Sequence, residues 1–186
     1  ADPAKYPYFW GQSALQKYLL AGVADYLEGK GAKKIAFVGP DDALGDAINE
    51  ALTSEVEDKG IEVSEHLFKS DAVDVTPAFQ AALADNPDWI YMDAAGTQAG
   101  TLLSSRVKAG AEAVPTLAGV VMGSQPLIKL SEGTNQMDNI FLVMLPSQYY
   151  VDPADRSEQF NAFLEGVKAE GPIEVSLSTY AAGWDI

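Results

Sequence analysis

Cysteine is absent from the 186-residue sequence, and histidine occurs only once, at His66. The lack of cysteine excludes catalysis by a thiolate, thiolate zinc sites and disulfide bonds. Cationic side chains are also scarce, because 12 Lys and Arg stand against 27 Asp and Glu, for a formal net charge of −15. Since such a surface repels phosphate groups, nucleic acids and anionic membranes are poor partners for this chain.

Long hydrophobic runs are missing as well. No stretch of about 18 apolar residues is present, so the sequence predicts no membrane-spanning helix. The chain starts at Ala1 and stops at Ile186, with neither an initiator Met nor a signal peptide. We therefore expect a fragment whose targeting segment, if any, lies outside it. With 47% hydrophobic residues, the chain is long enough to bury one substantial core.

Two hydrophobic periodicities alternate along most of the sequence. Short apolar runs predict strands over residues 33–39, 61–68, 89–92, 114–121 and 139–145. Apolar residues at helical spacing predict helices over 15–27, from Asp41 or Asp42 to Val56, from Thr76, and over 97–109, 126–130 and 160–167. At the start of the third helix, Thr76 is expected to accept a hydrogen bond from a free backbone N–H, and Pro77 to lie in the first turn, where no N–H donor is needed. This alternation predicts an α/β fold of three layers, doubly wound, around a mainly parallel five-stranded sheet in the flavodoxin-like order 2-1-3-4-5.

Ligand sites in such sheets lie at the carboxyl ends of the strands. The corresponding loops here cover residues 39–44, 93–98 and 119–125. The first loop, Gly39-Pro40-Asp41-Asp42-Ala43-Leu44-Gly45, lacks the glycine spacing of a dinucleotide-binding turn, and no Gly-Lys-Ser/Thr occurs. No cofactor is therefore predicted, and one histidine with scattered carboxylates predicts no metal centre.

The sequence gives little support for an enzyme. No G-x-S-x-G turn occurs, and strand alternation predicts a solvated His66 on a polar face with Glu62 and Ser64. Asp41, Asp42 and Asp93 at strand ends leave two minor alternatives open, a carboxylate-dependent α/β enzyme and a phospho-acceptor receiver domain. A receiver also needs a lysine after its fifth strand, where Leu145-Pro146-Ser147-Gln148 stand here. The sequence therefore predicts a protein that is not an enzyme.

Several segments resemble one known family. They are Lys33-Lys34-Ile35-Ala36-Phe37-Val38 followed by Asp41-Asp42-Ala43-Leu44-Gly45, then Asp74-Val75-Thr76-Pro77, Asn86-Pro87-Asp88-Trp89-Ile90-Tyr91, and residues 96–107 followed by Gly110. In order and spacing they are similar to type I periplasmic solute-binding proteins, more narrowly to the branched-chain amino-acid (Leu/Ile/Val) binding family of ABC importers. The similarity covers essentially the whole chain, and it resembles the second lobe only.

The resemblance implies a domain organisation. Residues 1–12 correspond to the crossover, or hinge, from a missing first lobe, 13–178 to the second-lobe ligand-binding domain, and 179–186 to the start of the return crossing. It implies a non-catalytic solute-binding component, periplasmic or otherwise extracytoplasmic, and leaves open a lipoprotein anchor through a segment outside this chain. Its partners would be a small solute, ABC permease subunits and the first lobe. A ligand-sensing domain of a receptor or regulator remains the alternative, because one fold serves both functions.

The resemblance also implies where a solute would lie. The family's two second-lobe aromatic positions fall on Leu44 and on Ala94-Ala95-Gly96, and its acid after the fourth strand falls near Val121 and Met122. These small or apolar residues imply room for an amino-acid-like solute or a larger apolar or aromatic one. The candidate ligand-binding residues are Trp10, Asp42, Leu44, Ala94, Ala95, Gly96, Gln98, Val121, Met122, Tyr149 and Tyr150.

Overall fold

A single parallel sheet organises the computed structural model, which describes residues 16–143 and 152–170. Its strands are β1 (Lys34–Pro40), β2 (Glu62–Phe68), β3 (Trp89–Met92), β4 (Thr116–Ala118) and β5 (Ile140–Leu142). Every neighbouring pair is parallel, and the strand order is β2-β1-β3-β4-β5. The predicted α/β class, strand number and strand order are confirmed.

Helices connect the strands along the chain. They are α1 (Gln16–Gly29), α2 (Ala43–Glu57), α3 (Thr76–Ala84), α4 (Gln98–Lys108), α5 (Gln125–Ser131) and α6 (Glu158–Glu170), with 3₁₀ turns at Ala111–Ala113, Val120–Gly123 and Pro153–Asp155. Each predicted helix is present, with ends that differ by a few residues. Within the described ranges, none of these helices combines the length and apolar character needed to cross a membrane.

Two strands are shorter than predicted. β4 does not span 114–121, because the Val114 N–H closes a turn onto the Ala111 carbonyl and a 3₁₀ turn begins at Val120. β5 does not begin at Asn139, whose φ of 58° is left-handed and cannot continue an extended strand. Its predicted last residues, 144 and 145, lie outside the described residues.

The core has one layer on each face of the sheet. Side chains alternate along the buried strands, so Ile35 and Phe37 of β1 pack on one face, whereas Ala36 and Val38 pack on the other. The first face is covered by α1 and α2, and the second by α3 and α4. Strands with both faces covered in this way read as continuous apolar runs, which is why the sequence revealed them.

The start of α3 differs from the sequence expectation. Thr76 was expected to accept a hydrogen bond from a backbone N–H, but its own N–H and hydroxyl both donate to Asp74 Oδ1. These donors, with Lys108, lower the pKa of Asp74. Pro77 stands in the first turn, as predicted, where its missing N–H leaves no helical bond unmade.

His66 is not the solvated residue that strand alternation predicted. Its Nε2 lies 2.9 Å from Asp85 Oδ2 and 3.2 Å from Ser64 Oγ, and only 12% of its side chain is exposed. Hydrogen bonds from Ser64 and His66 lower the pKa of Asp85. Because Asp85 follows the last residue of α3, this contact joins the carboxyl end of that helix to β2.

Arg106 is a charged residue in the interior that the sequence did not reveal. Its side chain is fully buried on α4. Nε donates to Thr116 Oγ1 at 3.0 Å, Nη1 to the Asp138 carbonyl at 3.0 Å, and Nη2 to the carbonyls of Glu112 and Val114. The planar guanidinium therefore holds α4 against the segments on both sides of β4.

We expect Arg106→Met to lower the free energy of unfolding by roughly 3 kcal/mol, because it leaves buried carbonyl oxygens without donors. Lys108→Met, on the same helix but with a side chain 58% exposed, is the control and should change stability by less than about 0.5 kcal/mol. Urea denaturation of both variants measures the difference. Equal effects would show that the Arg106 contacts contribute nothing to the fold.

Candidate functional site

The strand order creates a crevice at the carboxyl edge of the sheet. β1 and β3 are neighbours, but the helix after β1 packs on one face and the helix after β3 packs on the other. The two following loops therefore diverge, and ligands in open α/β sheets bind in such a gap. The loop after β4 borders β3 and completes this edge. We call the segments 41–44, 93–98 and 119–123 the rim.

Asp42 holds the first rim segment in place. As the N-cap of α2, it accepts hydrogen bonds through Oδ1 from the N–H groups of Leu44 (2.9 Å) and Gly45 (3.2 Å). Its Oδ2 accepts from the Ser70 hydroxyl at 2.7 Å. The Ser70 hydrogen bond, followed by those from the backbone, lowers the pKa of Asp42. The carboxylate is thus ionised and already holds three donors.

Ser70 joins two of the predicted ligand-binding residues. While its hydroxyl donates to Asp42, its carbonyl accepts from the side-chain amide of Gln98 at the start of α4. The loops after β1, β2 and β3 are therefore connected through one serine. Nothing in the sequence pattern distinguished Ser70, because its role depends on loops that meet only in the folded chain.

Close packing requires a glycine directly after the first rim segment, at Gly45. A Cβ atom at this position would overlap the carbonyl oxygen of Pro40, so α2 approaches the end of β1 more closely than any other residue would permit. Leu44, just before it, is 44% exposed. An apolar side chain is thus presented to solvent at the crevice.

Small residues form the segment after β3. Ala95 and Gly96 are exposed, whereas Ala94 is buried in the core layer beneath them. Gly96 has a φ of 60°, a left-handed conformation that suits glycine. The absence of large side chains leaves this part of the crevice open.

The third segment, after β4, contains Gly119 and the 3₁₀ turn Val120–Gly123. Val121 is 39% exposed, whereas Met122 is fully buried in the same core layer as Ala94. The predicted site residues thus separate into exposed ones on the rim and buried ones that support it from below.

Asp93 is the one buried acid of the rim. It lies directly after β3, and the residue is only 8% exposed, whereas Asp41 and Asp42 are exposed. Burial raises its pKa to about 6, partly opposed by a hydrogen bond from the Ala94 N–H. Asp93 was predicted to lie at a strand end but was not among the predicted ligand-binding residues.

The remaining predicted ligand-binding residues, Trp10, Tyr149 and Tyr150, lie outside the described residues, as do the predicted hinge segments 1–12 and 179–186. Across 16–143 and 152–170, no three or more His, Asp or Glu side chains gather as metal ligands would.

Comparison with known families identifies the chain. The profile of a family described as periplasmic binding proteins matches residues 1–184. The chain belongs to this family. Membership confirms the sequence-based resemblance and agrees with the prediction that the chain is not an enzyme. A comparison with curated proteins found no match.

Solved structures share the fold at low sequence identity. A leucine-binding protein, LivK, from Thermotoga maritima superposes with a TM-score of 0.74 and 16% identity, over 92% of this chain and 47% of its own. An ABC transporter solute-binding protein from R. palustris in complex with benzoate gives 0.73 and 19%, over 94% and 46%. Another from R. palustris, with 4-hydroxybenzoate, gives 0.61 and 22%, over 69% and 36%. The chain thus spans less than half the length of these relatives.

The close approach at Gly45 predicts opposite effects at two helical glycines. Gly45→Ala should destabilise the protein by about 2 kcal/mol or more, because the methyl group forces α2 away from Pro40. Gly22→Ala, on an exposed position of α1 with nothing within 4 Å, should stabilise it by about 0.5–1 kcal/mol. Thermal or urea denaturation tests both, and a stabilising Gly45→Ala would contradict the packing described.

Asp93→Asn should reveal the cost of ionising a buried acid. Between about pH 4 and pH 6 the folded protein keeps a proton on Asp93 that the unfolded chain releases, so stability falls as pH rises through this interval. Because asparagine does not ionise, the variant should exceed the wild type by on the order of 2 kcal/mol at about pH 7.5, and by far less near pH 4.

Urea denaturation at both pH values measures this difference, with Asp41→Asn as the control on an exposed acid. A wild-type and Asp93→Asn difference that does not vary with pH would show that Asp93 is not buried as described.

Proposed function

We propose that this chain is the second lobe of an extracytoplasmic solute-binding component of an ABC importer. Its solute is a small amino-acid-like or apolar or aromatic organic molecule, captured without chemistry between this lobe and a first lobe. The observation that carries the proposal is the match to the periplasmic binding protein family over residues 1–184.

The geometry of the rim supports binding. Leu44 and Val121 present exposed apolar surface, and Ala95 and Gly96 leave space between them. Concave, largely apolar sites with a few polar groups are typical of small-molecule binding. We propose that the exposed members of the predicted set contact the solute and that Ala94 and Met122 shape the floor.

The relatives support the class of solute. One is a leucine-binding protein, and two were solved with benzoate and 4-hydroxybenzoate. We propose the same range, amino acids or aromatic acids, for this protein. Because small residues occupy the segment after β3, we expect the apolar or aromatic solutes to bind more tightly than leucine, isoleucine or valine.

The direct test is isothermal calorimetry on the full-length protein that contains this chain, freed of bound solute by unfolding and refolding. L-Leucine, L-isoleucine, L-valine, benzoate and 4-hydroxybenzoate are the probes. We expect one-to-one binding with a dissociation constant of about 1 μM or lower for at least one aromatic acid. Preferential binding of the branched-chain amino acids would reject the aromatic preference, and no binding by any probe would contradict the proposed solute class.

A matched pair of variants locates the site. Ala95→Phe fills the open part of the rim and should weaken binding at least about tenfold with little loss of stability, since Ala95 is exposed. Ala84→Phe adds the same ring at an exposed position at the end of α3, towards the opposite edge of the sheet, and should leave affinity unchanged. Equal affinities for the two variants would place the site elsewhere.

Delivery to a permease is a separate step. Deleting the gene should abolish uptake of the bound solute by cells, and the wild-type gene should restore it. Normal uptake after deletion would favour the ligand-sensing alternative over import.

A further inference from the structure

We propose that Asp93 is a specificity-determining residue of the crevice, whose carboxylate accepts a hydrogen bond from a hydroxyl or protonated amine of the solute. This inference rests on the proposed function and narrows the solute to molecules that carry such a donor. It assigns Asp93 a role in binding, separate from the capping role of Asp42.

Position supports the assignment. Asp93 follows the last residue of β3. β1 and β3 are the neighbouring strands after which the chain crosses to opposite faces of the sheet. The exposed small residues Ala95 and Gly96 come directly after it. A polar group of a solute that entered this gap would approach the end of β3.

The carboxyl group of Asp93 rests on Gly119, the residue after β4. A Cβ atom at Gly119 would overlap Oδ1, Oδ2 and Cγ of Asp93. Because Gly119 has no side chain, there is room for the carboxyl group of Asp93 in a buried position. Two loops, after β3 and β4, cooperate to hold it there.

The carboxylate of Asp93 has hydrogen-bonding capacity to spare. An ionised carboxylate offers about four acceptor positions. Asp42 on the same rim uses its oxygens for Leu44, Gly45 and Ser70, whereas within the described part of the chain Asp93 receives a hydrogen bond only from the Ala94 N–H. The other acceptor positions of Asp93 are therefore available to a donor on the solute.

The negative charge of Asp93 further restricts which solutes can bind. Burial raises the pKa of Asp93 to about 6, so the group is mostly ionised at neutral pH. A solute that brought only a carboxylate to this position would add a second negative charge, and the two would repel each other. A hydroxyl or ammonium group is favourable in the same place.

The test compares solutes that differ by a single donor, using calorimetry on the full-length protein near pH 7.5. One pair is 4-hydroxybenzoate and benzoate, which tests a hydroxyl. The other is L-leucine and 4-methylpentanoate, which tests a protonated amine. In the wild type, the donor-bearing member of at least one pair should bind about 10- to 100-fold more tightly.

Asp93→Asn should reduce that preference at least about tenfold, chiefly by weakening the donor-bearing member, since a hydrogen bond to a charged acceptor is lost. Asp71→Asn, which removes an exposed acid from the loop after β2, outside the rim, is the control and should preserve the preference. Loss of folding does not confound the result, because Asp93→Asn is expected to be the more stable protein at this pH.

The outcomes separate this inference from the proposed function. If Asp93→Asn binds with the same preference as the wild type, or if the wild type shows no preference, Asp93 does not have this role. Neither result contradicts solute binding itself. Failure of all four compounds to bind the wild type contradicts the proposed solute class, and with it this inference.

Discussion

The divergence of the chain after β1 and β3 is the constraint on which the rest of the structure depends. These strands lie side by side, yet α2 covers one face of the sheet and α4 the other. Right-handed crossovers leave no other arrangement for a parallel sheet in this order. The gap between the two loops is thus a consequence of the topology and does not depend on particular side chains.

Side chains then determine what the gap can bind. Asp42, Ser70 and Gln98 are engaged with one another and with the backbone, so they hold the loops in position. Small and apolar residues leave the remaining space open, and the buried Asp93 directly follows β3 at this edge, with acceptor capacity unused by the described residues. Such an arrangement suits capture of a solute better than chemistry, since catalysis needs several convergent titratable groups.

The sequence predicted the sheet order and the helices because each element has its own hydrophobic period, and buried parallel strands read as apolar runs. It was less successful where conformation depends on contacts distant in sequence. The burial of Asp93 requires Gly119 directly after another strand, and Arg106 finds its acceptors in two separate segments. The pairing of His66 with Asp85 was missed for the same reason, since strand alternation cannot show what packs above a strand.

Hydrogen–deuterium exchange of the full-length protein, with and without saturating 4-hydroxybenzoate or L-leucine, tests most directly whether a solute occupies this gap. We expect whichever of them binds to slow exchange in residues 41–44, 93–98 and 119–123 and to leave the opposite edge around residues 86–88 unchanged. Slowed exchange confined to that opposite edge, or a bound solute that leaves all three rim segments unaffected, would contradict binding in this gap.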